Sequence, residues 1–491
     1  MRDHHRIHFF SIGLVASFAS FALALAVLPA AMRAEQKVHV AAMDAAVSPA
    51  LLYQVSGGEV FRRQFAISTE RAIVVDLELM TLDLVDGGTV VKRIPVLSKG
   101  RQGTFWETPA GRYEVKQKIP NHFSSIGHVW MPYSMQFYGN FFIHGWPYYP
   151  DGTSVPPGYS GGCIRLSTED AKMVYEFASL GTPIFITGAP AMVEATSTFA
   201  YYLRDPKIPP ELGASGLIVA DLETGQVLWE RRGSEPLPAY GLTSLMTALT
   251  AIETVNQYKV VRMSELLLGK PIPRRVEKGF LDEVPVGALI YPLLFSANDT
   301  AAMAFAEDRG ERRFVADMNE KARAIGMHNT RFASATASVE NLASPRDVFV
   351  LLRYLRESKP FVLDATLREE HVVHETNGKE RFVWSNKNPW RSETGLYRGG
   401  ILPETTDART SAAAIWNMSI SEFGERPIAI VVMDSPSPKE DIDAVRTYVD
   451  GAFIYAPVFE SAPLVIEKTD PTPSLWSRIK EIKFISSLLS G

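Results

Sequence analysis

A single cysteine, Cys163, occurs in the 491 residues of the chain. One cysteine excludes a disulfide framework within the chain, and its distance from the N-terminus excludes a bacterial lipoprotein signal. The ten histidines are scattered. Only His371 and His374 form a close pair outside the N-terminus, so no group has the spacing of a metal site. We therefore expect neither a metal nor another cofactor.

A long basic run is also absent from the sequence. The 50 Lys and Arg residues stand against 55 Asp and Glu residues, and the net charge of −5 argues against a nucleic-acid partner. The hydrophobic content of 46% and the charged content of 21% are typical of globular proteins. The length allows two or three domains, each with its own core.

An apolar run, residues 9–31, follows a basic N-terminus. Small residues at Ala30, Ala31 and Ala34 offer cleavage points, so residues 1–34 are typical of a secretory signal peptide. At 31 − 9 + 1 = 23 residues, the run is also long enough to remain as a membrane anchor. Either alternative places the working domains outside the cytoplasm. We expect a periplasmic protein and leave inner-membrane association open.

The cysteine lies in a glycine-rich turn, 163 − 144 = 19 positions after His144. His144 ends a predicted strand over 139–145, and an aromatic loop over 146–158 leads to the turn. Sulfur nucleophiles require a thiolate, a base and hydrogen-bond donors for an oxyanion. The glycines before Cys163 permit a sharp turn whose N–H groups converge. A lone cysteine is more often a small buried hydrophobe, so these residues alone leave both interpretations open.

Further elements extend the pattern in a fixed order. They are Thr108-Pro109-Ala110-Gly111, Trp130-Met131-Pro132-Tyr133, Ile143-His144-Gly145 and Ser160-x-Gly162-Cys163-Ile164-Arg165. This order resembles the L,D-transpeptidase (YkuD) catalytic domain. The resemblance implies that Cys163 is the nucleophile, that His144 is the general base, and that the oxyanion is held by the N–H of Cys163 with that of Gly162 or Gly161. The thiol and the imidazole should then lie within hydrogen-bond reach beside an open cleft.

The remaining predicted site residues support or surround the reacting pair. Ser160 is expected to tie the turn together rather than to touch substrate. Arg165 either binds a substrate carboxylate or braces the loop through main-chain carbonyls, and the sequence favours neither. Family members often carry His or Arg where Gly161 stands, so the group that orients His144 stays open, with a main-chain carbonyl near Gly145 as a candidate. The expected cleft walls are aromatic: Trp130, Tyr133, Trp146, Tyr148 and Tyr149.

Short strands dominate residues 65–190, which follow a linker over 35–64. Residues 72–96 alternate apolar and polar side chains around the turn 86–88, and this predicts one β-hairpin. After the cysteine, Ser167 is the predicted N-cap of a helix over 168–179. We expect a mainly-β domain.

From about residue 200 to 460 the pattern predicts an α/β domain. A strand–turn–strand unit turns at residues 223–225, and the apolar run over 427–434 predicts a buried strand. Amphipathic helices are predicted over Leu242–Glu253, Leu293–Glu307, Gly310–Ile325 and Ser344–Arg356. Such a mixture is typical of helices packed on a sheet.

This second region resembles the serine D,D-carboxypeptidase fold of penicillin-binding proteins and serine β-lactamases. Members need a serine nucleophile and a lysine one helical turn later, and these positions hold Gly241 and Ser244 here. The Ser-x-Asn element survives at residues 296–298, whereas Leu402-Pro403-Glu404 replaces the Lys-Thr-Gly motif. The resemblance therefore implies a catalytically inactive, degenerate domain. Ser296 and Asn298 are expected to satisfy local hydrogen bonds, and Ser244 as a relocated nucleophile would lack its lysine.

The tail over 461–491 predicts an amphipathic helix. Its apolar stripe is Leu475, Ile479, Ile482, Ile485 and Leu489. The helix is expected to pack on a domain or a partner, and an in-plane membrane helix is the alternative.

Together the resemblances imply a multi-domain protein, a mainly-β L,D-transpeptidase domain followed by an α/β penicillin-binding-protein-like domain. The implied reaction is acylation of Cys163 by a peptidoglycan stem peptide and transfer to an amine, which gives a 3→3 crosslink or attaches a protein. The alternatives are hydrolysis by the same cysteine, as in an L,D-carboxypeptidase, and a non-catalytic peptidoglycan-binding scaffold. The second domain would hold stem peptides or dock other cell-wall enzymes.

Overall fold

The computed structural model describes residues 71–187, 199–204, 207–262, 283–374, 380–404 and 408–458. The predicted signal peptide or anchor, the linker and the C-terminal amphipathic helix lie outside these residues. Among the described residues, every helix is too short or too polar to cross a bilayer.

The first half consists of two β-sheets packed on a common core. A five-stranded sheet has the order β3-β2-β1-β9-β4, and a four-stranded sheet has the order β5-β6-β7-β8. The strands are β1 (Ala72–Asp76), β2 (Thr81–Asp86), β3 (Thr89–Pro95), β4 (Gly111–Glu114), β5 (Gln117–Ser124), β6 (Val129–Tyr138), β7 (Phe141–Gly145), β8 (Ile164–Leu166) and β9 (Pro183–Thr187). Helix α1 (Thr168–Phe177) packs on β6 and β7.

The stretch predicted as one hairpin forms a three-stranded meander instead. The turn before Thr89 lies where predicted, but a second turn interrupts the first arm after Asp76. The Asp76 carboxylate accepts hydrogen bonds from the N–H groups of Glu78 and Leu79, at 3.1 and 2.9 Å. An Asp side chain that accepts from the next main-chain donors favours a turn over a continuous strand.

The N-terminus of α1 is as predicted. The side chain of Ser167 accepts a hydrogen bond from the N–H of Asp170 at 3.0 Å, which satisfies one of the unpaired donors of the first turn. The helix ends at Phe177, before the predicted end at residue 179.

The second half is an antiparallel five-stranded sheet with helices on both faces, in the order β12-β11-β21-β20-β19. Its sheet strands are β11 (Gly216–Asp221), β12 (Val227–Arg231), β19 (Tyr397–Ile401), β20 (Thr410–Met418) and β21 (Arg426–Ser435). Short strands pair outside it: β10 (Phe199–Leu203) with β22 (Phe453–Pro457), β13 (Leu237–Pro238) with β16 (Leu342–Ala343), β14 (Val260–Arg262) with β15 (Glu283–Pro285), and β17 (Glu370–His374) with β18 (Glu380–Ser385). The run over 427–434 is confirmed as a strand, the central and buried β21.

The helices of this half are α2 (Thr243–Thr254), α3 (Ile290–Ser296), α4 (Asp299–Arg309), α5 (Glu311–Ile325), α6 (Pro345–Ser358), α7 (Pro360–Leu367) and α8 (Pro438–Ala452). Helices α2, α5 and α6 confirm the predictions within two residues at each end. The predicted helix Leu293–Glu307 is wrong, because Ala297 adopts a left-handed conformation at φ +54° and separates α3 from α4. Asn298 then caps α4 by accepting from the N–H of Ala301 at 2.9 Å.

The two halves pack against each other through buried side chains. Ala324 of α5 packs in the core of the first half, and the ring of Phe105 lies 4.2 Å from that of Phe361, centroid to centroid. The buried Lys359 donates a hydrogen bond to the carbonyl of Glu107 at 2.6 Å. The predicted fold class, a mainly-β domain followed by an α/β domain, is confirmed.

Candidate active site

The parallel pairing of β7 with β8 brings the sequence-predicted residues together. Ile143 lies opposite Ile164, and both are buried in the core. His144 lies opposite Arg165, on the other face of the sheet because side chains alternate along a strand. Cys163 precedes Arg165 by two residues, and these three side chains line one cavity of about 430 Å³.

The glycine turn before the cysteine is held by a serine. The Ser160 hydroxyl donates to the carbonyl of Cys163 at 2.6 Å and accepts from the N–H of Gly162 at 3.0 Å. Gly162 has φ +102°, and a Cβ there would lie 2.2 Å from the ring of Phe141. Only glycine fits this position without displacing the ring.

The hydrogen bonds of the same turn distinguish between the two glycine N–H groups that were expected as alternative oxyanion donors. The N–H of Gly162 already donates to Ser160, so it is not available to an oxyanion. The N–H groups of Gly161 and Cys163 have no hydrogen-bond partner among the described residues. Gly161 also has open space where a side chain would be, since its nearest neighbour is a Trp106 ring atom at 4.0 Å.

The Cys163 thiol is protonated in this site. It donates to the main-chain carbonyl of Asn140, with Sγ and O 3.8 Å apart. Burial raises the pKa of the thiol from 9.0 to about 11, although a hydrogen bond from the Phe142 main chain and the charge of Arg165 act in the opposite direction. Burial therefore outweighs the hydrogen bond and the positive charge that favour a thiolate.

The His144 imidazole is neutral and has a fixed tautomer. The side chain is buried, and Nδ1 lies 2.6 Å from the carbonyl oxygen of Gly145. A carbonyl only accepts, so Nδ1 carries the proton and Nε2 keeps a free lone pair. Burial lowers the pKa of His144 to about 4, against the opposing effect of the Gly145 hydrogen bond and with a further lowering by Arg165.

No hydrogen bond joins the Cys163 thiol to the His144 ring, contrary to the expectation from the sequence. The thiol is within reach of the carbonyl of Asn140, and the ladder places His144 opposite Arg165 rather than opposite the cysteine. The unliganded site therefore holds an uncharged acid and an uncharged base on one cavity wall.

Arg165 is a half-buried cation without a carboxylate partner among the described residues. Its Nε is buried and makes no hydrogen bond, and its guanidinium carbon lies 5.7 Å from the ring centroid of Trp146. The main chain of Arg165 is bound to Ser98, with N to O at 2.9 Å. The loop is thus held through the main chain of Arg165, and this side chain lies free to meet an anion.

Two of the expected aromatic walls lie elsewhere. On β6, Val129 and Met131 line the cavity; alternation therefore turns Trp130 away, and its ring packs on Phe123 at 5.1 Å. Tyr133 packs edge-on against a tyrosine of α1 at 5.8 Å.

The aromatic loop after His144 contributes only indirectly. The indole N–H of Trp146 donates to the carbonyl of Val155 at 2.8 Å, and its ring reaches the cavity only through Arg165. The hydroxyl of Tyr148 accepts from Asn121 at 2.7 Å. Neither Tyr148 nor Tyr149 lines the cavity.

Several cavity residues were missed from the sequence. The first half also supplies Trp106, Asn140 and Phe141, and the second half supplies Ile252, Glu253, Val255, Asn256 and Tyr258. No sequence pattern relates these distant segments. The one local signal is the pair Gly100 and Gly103, which marks a loop just before Trp106.

The positions of the degenerate motifs of the second half also meet in space. A Cβ on Gly241 would lie 2.2 Å from Cγ of Pro403 and 3.2 Å from Cβ of Ala297. A proline ring therefore fills the side-chain space of residue 241, the position that the resemblance assigns to a nucleophile. Ser244 is buried in α2, and the hydroxyl of Ser296 donates to the carbonyl of Pro292 at 3.2 Å.

Among the described residues, no group of three or more His, Cys, Asp or Glu side chains is arranged to hold a metal ion.

Family models match both halves of the chain. Residues 70–186 match the L,D-transpeptidase catalytic domain (YkuD), and residues 205–437 match D-alanyl-D-alanine carboxypeptidase. The YkuD protein of Bacillus licheniformis is 31% identical over 115 residues, which cover 23% of this chain and 64% of that protein.

The second half has relatives of its own. The D-alanyl-D-alanine endopeptidase of Escherichia coli (strain K12) is 27% identical over 255 residues, covering 49% of this chain and 78% of that protein. The crystal structure of D-alanyl-D-alanine carboxypeptidase from Mycobacterium tuberculosis H37Rv matches with a TM-score of 0.43 and 20% identity, over 51% of this chain and 94% of that chain. The chain thus carries a YkuD L,D-transpeptidase domain followed by a D-alanyl-D-alanine carboxypeptidase-like domain.

Proposed function

We propose that the chain is a peptidoglycan L,D-transpeptidase that uses Cys163 as its nucleophile and His144 as its base. The two domain families are those of peptidoglycan-related enzymes. The observation that carries the finer proposal is the convergence of Cys163, a neutral His144 and an unpaired Arg165 on one cavity.

In the first step the substrate is a stem peptide whose carbonyl between the third and fourth residues lies beside the sulfur. When substrate binds, the thiol exchanges its hydrogen bond to the carbonyl of Asn140 for one to Nε2 of His144. The proton passes along this bond as the sulfur–carbon bond forms, because the thiol and the imidazole are both uncharged beforehand. The carbon–nitrogen bond then breaks, and the imidazolium returns the proton to the departing amine of the terminal D-residue. The product on the enzyme is a thioester.

The oxyanion of this step is bound by the N–H groups of Gly161 and Cys163. They are the free main-chain donors of the turn, whereas the N–H of Gly162 is engaged by Ser160. Donors fixed before reaction stabilise the developing charge without reorganisation. Arg165 binds a substrate carboxylate.

In the second step an amine from another stem attacks the thioester, and the proton it loses is taken by His144. The carbon–sulfur bond then breaks, and His144 returns the proton to the departing sulfur, which restores the neutral thiol and the neutral imidazole. This gives a 3→3 crosslink, or attachment of a protein if the amine belongs to a protein. Attack by water in place of the amine would be L,D-carboxypeptidase activity.

The second domain has no acyl-transfer chemistry in this proposal. Its nucleophile position is Gly241, whose side-chain space is filled by Pro403. The N-terminal segment directs export to the periplasm in this proposal. The second domain associates with other cell-wall enzymes.

The test is product analysis of the full chain acting on purified tetrapeptide muropeptides, with and without an acceptor amine, by liquid chromatography and mass spectrometry. The expected products are the released D-residue and a 3→3 dimer. Cys163→Ser should lose both, while Ser244→Ala, a serine replaced in the second domain, should keep both.

Adduct formation gives a second measurement. A carbapenem should add its mass to the wild-type chain and not to Cys163→Ser. If trimmed monomers form without dimers, the reaction is hydrolysis and not transfer. If neither product nor adduct forms, the chain is a non-catalytic peptidoglycan-binding scaffold.

A further inference from the structure

We propose that the second domain completes the substrate-binding site of the first. The segment at the C-terminal end of α2, here named the 252–258 wall (Ile252, Glu253, Val255, Asn256 and Tyr258), would bind the uncharged part of the stem peptide whose carboxylate meets Arg165. Trp106 and Tyr258, whose rings stack on each other across the domain boundary, would together present one aromatic surface to that peptide. This inference rests on the proposed function, and it adds a specificity role for the domain that lacks chemistry.

The 252–258 wall belongs to the same cavity as the sulfur. Its members line the space that Cys163, His144 and Arg165 also line. Ile252 and Val255 are buried and apolar, and Tyr258 is 75% exposed. The cavity is thus bounded on one side by the nucleophile's domain and on the other by residues about 90 positions downstream, 252 − 163 = 89.

The wall is held in a defined shape by its own hydrogen bonds. The amide of Gln257 donates to the carbonyls of Ala251 and Val255 at 2.7 and 3.1 Å. The side-chain oxygen of Asn256 accepts from the N–H of Tyr258 at 3.1 Å. A preformed surface binds a ligand without a large ordering cost.

The wall is tied directly to the group that holds the thiol. The side-chain amide of Asn140 donates to the carbonyl of Thr254 at 3.1 Å, and the main-chain carbonyl of the same Asn140 accepts from the Cys163 thiol. The neighbouring Gly139 has φ +49°, and a Cβ there would lie 3.0 Å from Cγ2 of Thr254. One loop therefore fixes both the sulfur and the wall.

The charge of the 252–258 wall is also compatible with a peptide that has a free carboxylate. Glu253 is the only ionisable acid of the wall, and Lys321 lies 3.0 Å and Lys359 3.9 Å from its carboxylate. Two buried lysines beside one carboxylate leave no net negative charge to repel an anion. The other wall residues offer apolar surface, an aromatic ring and an amide, which suit the neutral stretch of a peptide.

The aromatic pair marks the rim of the cavity. The ring centroids of Trp106 and Tyr258 are 6.1 Å apart at an interplanar angle of 26°. The main-chain carbonyl of Trp106 also packs against Gly162, 3.1 Å from the position of an added Cβ. An exposed tyrosine gains buried surface when a ligand covers it, and such rings dominate many binding sites.

Binding is tested apart from chemistry in the full chain carrying Cys163→Ala. Isothermal titration calorimetry with a stem tetrapeptide gives Kd for this parent and for three added substitutions. Tyr258→Ala should raise Kd about tenfold, equal to about 1.4 kcal/mol, whereas Tyr258→Phe should stay within about twofold because the ring is kept. The matched control is Phe423→Ala, an aromatic of the second domain that is 65% exposed and outside the cavity; it should leave Kd unchanged.

A double-mutant cycle with Trp106→Ala tests whether the two stacked rings act as one binding surface. If both rings cover the same stretch of peptide, the two losses should not add. Equal Kd values for the parent and Tyr258→Ala would contradict the proposal that the 252–258 wall binds the stem peptide. Failure of the tetrapeptide to bind the parent would contradict it as well. A wild-type chain that makes neither product nor adduct while these Kd shifts persist would overturn the proposed chemistry and leave the wall standing.

Discussion

The protonation state of the lone thiol gives the sharpest prediction. Many sulfur nucleophiles rest as a thiolate beside an imidazolium, and alkylation of such a pair is fast at neutral pH. Here the pKa of Cys163 is about 11 and that of His144 about 4. Titration of the alkylation rate therefore separates a neutral resting pair from an ion pair.

The magnitude follows from the shift. A rise from 9.0 to about 11 is two pH units, or about 3 kcal/mol in favour of the thiol. At pH 7 the thiolate fraction should be on the order of one in ten thousand, about a hundredfold below an ordinary thiol of pKa 9. The rate should rise about tenfold for each pH unit between 6 and 10 without a plateau.

The assay uses iodoacetamide and intact-mass detection. Because the chain has one cysteine, the mass added in excess of that added to Cys163→Ser reports Cys163. The urea-unfolded chain serves as the reference for an unburied thiol. Arg165→Gln should slow the reaction further, because the charge of Arg165 lowers the pKa of the thiol. A rate plateau between about pH 5 and 8 would refute the neutral pair and restore the ion pair.

Three further predictions follow from the structure. Gly162→Ala should destabilise the turn by about 2–5 kcal/mol through the positive φ and the clash with a phenylalanine ring, while Gly161→Ala, with open space around it, should melt like wild type in a thermal scan. Gly241→Ser should acquire no β-lactam adduct by mass spectrometry, because Pro403 fills the site; an adduct would show that the domain is one substitution from activity. Stability contributed by neutral His144 should be present above about pH 6.5 and lost toward pH 4, by about 3 kcal/mol. Urea unfolding of His144→Gln should lack that loss.

The sequence could predict those features that depend on the backbone preferences of a few neighbouring residues. Two glycines before a cysteine, a strand ending in His144 and the N-cap Ser167 each act within a few residues, and each lies where the pattern indicated. The helix broken at Ala297 was missed because no glycine or proline marks the left-handed residue. Local apolar periodicity continued across it.

The cavity walls could not be predicted for a different reason. Met131 rather than Trp130 faces the cavity, and this depends on the phase of alternation along β6, which a short aromatic motif leaves undetermined. Asn256 and Tyr258 depend on how two domains pack, and packing across a boundary leaves no periodic signal in either segment. Aromatic composition alone therefore pointed to the wrong side of the strand.

The two ends of α2 lie in different surroundings. Next to the N-terminal end, Gly241 lies against Pro403, which leaves no space for a larger side chain at this position. At the C-terminal end, Thr254 binds Asn140, and Tyr258 lies at the rim of the cysteine's cavity. Because one helix joins the two ends, the packing that holds Gly241 against Pro403 also holds Tyr258 at the cavity. Substitutions at Gly241 or Pro403 should therefore leave the rate of the proposed reaction at Cys163 unchanged, as long as α2 keeps its position against the β-sheets of the first half.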